Sequence, residues 1–120
     1  MSDAPKHHPF ACGLDAAVAV VGGKWKPLIL WALAGEEPRR FGELRRSLPG
    51  VSEKMLTQQL RELEHDGIVH REVYREVPPR VEYSLTALGR TLNEALAPLG
   101  DWGDANLATI AQTRARPAAS

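Results

Sequence analysis

One cysteine, no net charge and no long apolar run: each of these shortages removes a class of protein. With Cys12 as the single cysteine, no intrachain disulfide and no multi-cysteine zinc site can form. Fifteen Lys and Arg residues balance fifteen Asp and Glu residues, so the formal net charge at pH 7 is zero. Bulk charge therefore does not mark a nucleic-acid binder, and any basic surface must come from concentrating cations on one face. No apolar stretch approaches the roughly 20 residues needed to span a bilayer, and no signal-peptide pattern is evident. A cytoplasmic protein without membrane association is the expectation. Nucleophile, acid–base and metal-ligating residues do not cluster, so neither an enzyme nor a cofactor or metal site is expected. The adjacent His7 and His8 lack further ligands nearby and read as solvated. Glu62, Glu64 and Asp66 read as the charged rim of an exposed helix end.

What remains is a 120-residue chain, 43% hydrophobic and 25% charged, enough for one domain with a modest core. Its organising stretch runs from Ser52 to Gly67. Leu56, Leu60 and Leu63 recur at i, i+4 and i+7, one apolar stripe on a helix. Lys54, Thr57, Gln58, Arg61 and His65 project from the opposite side. Ser52 is a good N-cap because its hydroxyl can accept from an unpaired N–H of the first turn, and Gly67 suits a left-handed stop. The polar face carries the donors and acceptors needed to read base edges in a major groove. A solvated surface helix would look similar, so the flanking elements decide.

Upstream, residues 1–11 form an expected mobile arm. Leu14, Ala17, Val18 and Val21 then mark a short amphipathic helix ending at Gly22-Gly23. A second helix, Lys24 to about Ala34, has Pro27 in its first turn, where a missing N–H costs nothing. Its run of Trp25, Leu28, Ile29, Leu30, Trp31, Ala32 and Leu33 leaves almost no polar face, which predicts burial on most sides. Arg39-Arg40-Phe41 reads as a very short strand. Phe41, Leu44, Arg45 and Leu48 make a brief helix stopped by Pro49-Gly50, so two helices and a tight turn form a helix-turn-helix ending in the stretch from Ser52.

After Gly67 the apolar period drops to two. Ile68–Arg75 and Val81–Leu85 read as paired strands joined by Glu76-Val77-Pro78-Pro79-Arg80. A helix-turn-helix followed by such a hairpin is a winged helix, with Arg75 and Arg80 placed to reach phosphates or a minor groove. The fold class is mainly α with a small β-hairpin (α+β). Thr86 caps a last helix whose apolar seam is Leu88, Leu92, Ala95, Leu96, Leu99 and Trp102, extended by Leu107 and Ile110. Pro98, Gly100 and Gly103 predict a kink or break near residues 97–103. The seam exceeds what one small domain needs, and the surplus reads as a dimer interface formed by Leu14, Val18, Trp31, Leu92, Leu96, Leu99 and Trp102. The domain is expected over residues 12–112, with a frayed tail over 113–120.

Several segments together resemble the HxlR-type family of winged-helix transcription regulators, relatives of the MarR group. They are Gly22-Gly23-Lys24-Trp25-Lys26, Phe41-Gly42-Glu43-Leu44-Arg45-Arg46, Ser52 to Leu63, Asp66-Gly67-Ile68-Val69, and Val77-Pro78-Pro79-Arg80-Val81-Glu82-Tyr83-Ser84-Leu85-Thr86. The resemblance covers about Cys12 to Gly103. It implies a homodimer on a pseudo-palindromic double-stranded DNA operator, acting as repressor or activator. Two reading helices would then enter successive major grooves about 34–36 Å apart. Gln58 is the candidate for adenine, and Arg61 or Lys54 for guanine or phosphate. Ser52 and Thr57 would meet phosphate or a thymine methyl, Arg39, Arg40, Arg45 and Arg46 the flanking backbone, and Arg75 and Arg80 the DNA beyond the wing.

Family members commonly carry a cysteine just before the first helix, and in some it senses electrophiles or oxidants. Cys12 matches that position, with Gly13 where many members have proline. The start of a helix, together with Lys6, His7 or His8, would favour the reactive thiolate. The competing reading is a half-buried cysteine that packs against the first helix. For the whole chain, the rival to a DNA-binding regulator with a small-molecule or electrophile effector is a winged-helix module that binds protein instead.

Overall fold

A computed structural model of the chain describes residues 8–117. Helix α1 (Gly13–Val21) starts at Cys12, and the backbone N–H of Ala11 donates to the Asp15 carboxylate at 2.9 Å. No residue of α1 is buried. Helix α2 (Trp25–Ala32) contributes Ile29, Leu30 and Ala32 to the core, with Leu33 just beyond its end. Burial on most sides, expected from its composition, is not what α2 has: Leu28 is 38% and Trp31 69% exposed. The reason is that α2 packs against α3, α4 and α5, and nothing among the described residues covers Leu28 and Trp31.

Helices α3 (Phe41–Ser47) and α4 (Glu53–His65) make the helix-turn-helix. The Glu43 side chain accepts from the Arg40 backbone N–H at 2.9 Å and closes the first turn of α3. Between the helices, Leu48 and Val51 are buried, and Gly50 takes φ +92°, which a side chain would resist. The Ser52 hydroxyl accepts from Met55 N–H at 3.0 Å, as an N-cap should. Leu56, Leu60 and Leu63 seat the helix on the core. At the far end Gly67 has φ +76°. Its N–H donates to the Glu64 carbonyl at 3.0 Å, and Ile68 N–H donates to the Leu63 carbonyl at 2.9 Å. That pair of bonds satisfies two orphan carbonyls and aims the chain into the sheet.

The hairpin is β2 (Val69–Tyr74) and β3 (Arg80–Leu85), antiparallel from Val69↔Leu85 to Tyr74↔Arg80. It is not alone. The two-residue strand β1 (Arg39–Arg40) pairs with β3 in the register Arg39↔Tyr83, giving the sheet order β1-β3-β2. Phe41, expected in the strand, opens α3 instead, where the Glu43 bond to Arg40 sets the helix start.

Helix α5 (Ala87–Ala105) is capped by Thr86, whose hydroxyl accepts from Gly89 N–H at 3.0 Å and lies 2.6 Å from the Gly67 carbonyl. Gly89 is buried against Ile68, and a Cβ there would collide with the Ile68 carbonyl. The break expected over residues 97–103 is absent, for α5 runs through Pro98 to Ala105. Pro98 removes a single donor on an exposed stretch, where water can satisfy the freed carbonyl. The interruption falls at Asn106, whose side-chain amide donates to the Trp102 carbonyl at 2.9 Å and competes with the helical ladder. Helix α6 (Leu107–Ala115) follows, and it includes Thr113, Arg114 and Ala115, which lack of apolar anchors had placed in the tail.

The core gathers Ile29, Leu30, Leu33, Leu44, Leu56, Leu60, Leu63, Ile68, Val69 and Leu85 around α4. Outside it the molecule is extended, 57 × 44 × 26 Å with a radius of gyration of 17.1 Å. A compact domain of this length would have about 13–14 Å. Its accessible surface of 9227 Å² for 13.2 kDa likewise exceeds the roughly 6,400 Å² of a typical folded monomer.

Candidate nucleic-acid interface

Because the leucines of α4 face the core, its other side is turned outward. Lys54, Gln58, Arg61 and His65 are exposed and Thr57 is half-buried. Glu53, Lys54, Thr57, Gln58, Arg61 and Glu62 line one open depression along this face. Two of the expected contact residues also serve the helix itself. Ser52 is its cap, and the Thr57 hydroxyl donates to the Glu53 carbonyl at 2.8 Å, leaving its methyl and lone pairs outward.

The flanks are uneven. Arg40, Arg45 and Arg46 are exposed and Arg39 is half-buried. Arg45 sits 3.7 Å from Glu53, a loose surface pair worth little. On the wing, Arg75 is exposed. Arg80 is folded back onto its own hairpin: its guanidinium lies 4.1 Å from the centre of the Tyr74 ring, with Glu76 at 3.3 Å and Glu82 at 3.8 Å. Its Nε is buried without an aligned hydrogen bond. Sequence placed Arg75 and Arg80 as equals on the wing, and the structure separates them.

Two residues of this surface were missed. Arg71 on β2 shares a polar hollow with Thr57, Arg61, Glu64 and Tyr83, so it stands in the notch between α4 and the wing. In the sheet register Arg39 and Arg71 flank Tyr83. The period-two pattern located β2 but could not say which of its residues would meet α4. Lys26 is the second. It is 6% exposed, the one buried charged side chain among the described residues, and its Nζ donates to Glu62 Oε1 at 2.9 Å. The hydrogen bond and charge of Lys26 hold the Glu62 carboxyl below its ordinary value, with a smaller favourable contribution from the Gln58 amide. A lysine inside an otherwise apolar helix was the available signal, since such an ammonium must find an acid.

The residues read as a dimer surface divide in two. Leu92 and Leu96 are half-buried and pack against the core. Leu14 (74%), Val18 (54%), Trp31 (69%), Leu99 (63%) and Trp102 (59%) are exposed. Cys12 is exposed at the start of α1. Of the cations invoked beside it, Lys6 and His7 lie outside the described residues, and His8 is exposed with its ring 6.1 Å from that of Phe10. No group of three potential metal ligands occurs among the described residues. No helix among them is long and apolar enough to cross a membrane.

A helix-turn-helix whose outward helix is followed by a β-hairpin is a winged helix, the architecture of MarR-like regulators. Residues 20–111 match the HxlR-like helix-turn-helix model, and the chain belongs to that family. The HTH-type transcriptional regulator YybR of Bacillus subtilis (strain 168) is 50% identical over 95 residues, 79% of this chain and 75% of the relative. Among solved structures, the redox regulator HypR in its reduced form is similar with a TM-score of 0.78 and 46% identity, covering 84% of this chain and 99% of HypR. Diamide-treated YodB from B. subtilis matches with a TM-score of 0.68 and 35% identity, over 81% of this chain and 95% of YodB. The chain is thus a transcriptional regulator of HxlR and MarR type, not an enzyme.

Proposed function

We propose that the chain regulates transcription by binding a pseudo-palindromic operator as a homodimer, with α4 in the major groove of each half-site. The exposed polar face of α4, seated on a leucine stripe that fixes its outward direction, carries this reading. Lys54, Gln58 and Arg61 supply base-edge and phosphate donors. Arg39, Arg40, Arg45, Arg46 and Arg71 supply backbone contacts on either side, and Arg75 reaches out from the wing. Arg80 shapes the hairpin and contributes to DNA binding through Arg75's position. Net neutrality is no obstacle, because Arg40, Arg45, Arg46, Lys54, Arg61, Arg71 and Arg75 are all exposed on the helix-turn-helix and wing.

The dimer is supported by the surplus surface and by the exposed apolar residues of α1, α2 and α5. Isolated exposed leucines are ordinary, but a series on adjoining helices marks an interface. Titration of labelled DNA from beside the protein's own gene, over 50–200 mM salt, tests the reading. Binding that weakens steeply with salt is expected. Absence of binding at low salt would favour the protein-binding module.

Cys12 is the sensing group in this proposal. HypR is described as a redox regulator and YodB was captured after diamide. The Cys12 thiol is exposed at the head of a helix with no buried residue. With no second cysteine in the chain, a disulfide such as diamide drives must join Cys12 to a partner protomer or to a small thiol. Diamide should change operator affinity in the wild type and leave Cys12→Ser unaffected; equal responses would remove Cys12 from the mechanism.

A further inference from the structure

The reading face of α4 holds two acids, Glu53 and Glu62, beside its cations Lys54 and Arg61. Glu62 lies one helical turn beyond Gln58, within the same depression as Lys54 and Arg61. Its side chain is 42% exposed. An uncompensated carboxylate there would meet the phosphate field of the duplex. The counter-charge comes from another element. Lys26 reaches from α2, with its side chain 8% exposed, and donates to Glu62 Oε1 at 2.9 Å across 36 residues of sequence. Lys26 and Glu62 together line a second hollow with Arg61, His65 and Asp66, so the pair borders the reading face at Arg61.

We infer that Lys26 is a positioning residue for DNA recognition: from beneath α4 it neutralises and holds Glu62, so that Lys54 and Arg61 are not fully cancelled by Glu53 and Glu62 in the same depression. The inference rests on the proposed DNA reading. A burial role alone would predict something different, because Lys26 would then matter to folding and not to the electrostatics of the bound state. The pairing itself serves Lys26, whose buried ammonium has Glu62 as its one acid within 4 Å among the described residues. What points to the electrostatic role is the place of that acid, in the same depression as Lys54 and Arg61.

The test compares wild type, Lys26→Met, Glu62→Gln and the double variant on operator DNA across the salt series, with folding checked by circular dichroism at the same temperature. Freeing the carboxylate removes about one effective positive charge from the contact. The slope of log K against log salt should therefore flatten by about 0.9 in Lys26→Met. Its affinity at moderate salt should fall about tenfold, the scale expected for one lost charge contact. The double variant should recover both slope and affinity. A folded Lys26→Met with wild-type slope and affinity would overturn the inference, as would a double variant no better than Lys26→Met. If Lys26→Met does not fold, Glu62→Gln decides: affinity at or above wild type is required, and a clear weakening overturns the role. A wild type that binds no DNA removes the underlying reading, a result separable from all of these.

Discussion

Arg61 and Glu62 are neighbours in sequence, line the same depression on α4 and carry opposite charges. Arg61 is exposed on the reading face. Arg61→Ala should cost about 1–3 kcal/mol and relax preference at one base pair if it reads a base edge. A uniform loss over all sequences in a base-substitution series would make it a phosphate contact. Glu62 makes a second prediction, in pH. Its folded value is lowered from 4.5 by the Lys26 hydrogen bond and charge. A carboxyl with a lowered folded value contributes stability that is complete above 4.5 and is lost as pH falls below it. The stability difference between wild type and Glu62→Gln should therefore shrink on acidification below pH 4.5, as followed by urea unfolding; a constant difference would mean the pair does not couple to folding. At this scale the sequence was readable where a side chain's role follows from its own helix. Gln58 and Arg61 had to face outward once the leucines faced in. Lys26–Glu62 and Arg71 depended on which elements meet, which no local pattern specifies.

At the level of elements, periodicity located α1 to α4, the start of α5 and both wing strands to within a few residues, while α6 was read as an extension of α5. Terminal chemistry fixed their ends, as at Ser52, Gly67 and Thr86. Two misreadings have a shared cause. A kink or break was expected near Pro98, of which the break is absent, and the apolar run of α2 was expected to be buried on most sides. Both follow from treating a helix as if its surroundings were uniform. Pro98 lies on an exposed stretch that tolerates a lost donor, and α2 is covered on one side only. The pairing of β1 with β3 escaped notice because two residues carry no period. Gly89 provides the test at this scale. Replacing glycine by alanine within a helix ordinarily stabilises by up to about 1 kcal/mol. Here the new Cβ would strike the Ile68 carbonyl, which already accepts from the Thr86 N–H at 3.0 Å and cannot easily turn away. Gly89→Ala should instead destabilise by about 1–3 kcal/mol in urea unfolding. A stabilised variant would show that α5 can lift from the sheet.

For the whole molecule, the measure of incompleteness is the surface. A radius of gyration of 17.1 Å goes with helices that leave Leu14, Val18, Trp31, Leu99 and Trp102 uncovered among the described residues. Leu99 and Trp102 lie on α5 away from the proposed DNA face and are 63% and 59% exposed. Leu99→Glu with Trp102→Glu should yield a folded monomer in sedimentation experiments. It should also abolish tight binding to the two-half-site operator while leaving weak binding to one half-site. A wild type that sediments as a monomer would contradict the dimer directly.

The Thr86 hydroxyl, the Gly67 and Ile68 carbonyls and Gly89 form a joint where the tail end of α4 meets the head of α5. A weld of that kind turns two helices into one stiff lever. The 19 residues of α5 give it an arm of about 28 Å. Rocking that arm by five degrees at the fulcrum sweeps its free end through about 2–3 Å over that length. That free end carries Trp102 and stops at Asn106, so the joint at Thr86 sets where the exposed indole stands relative to the end of α4.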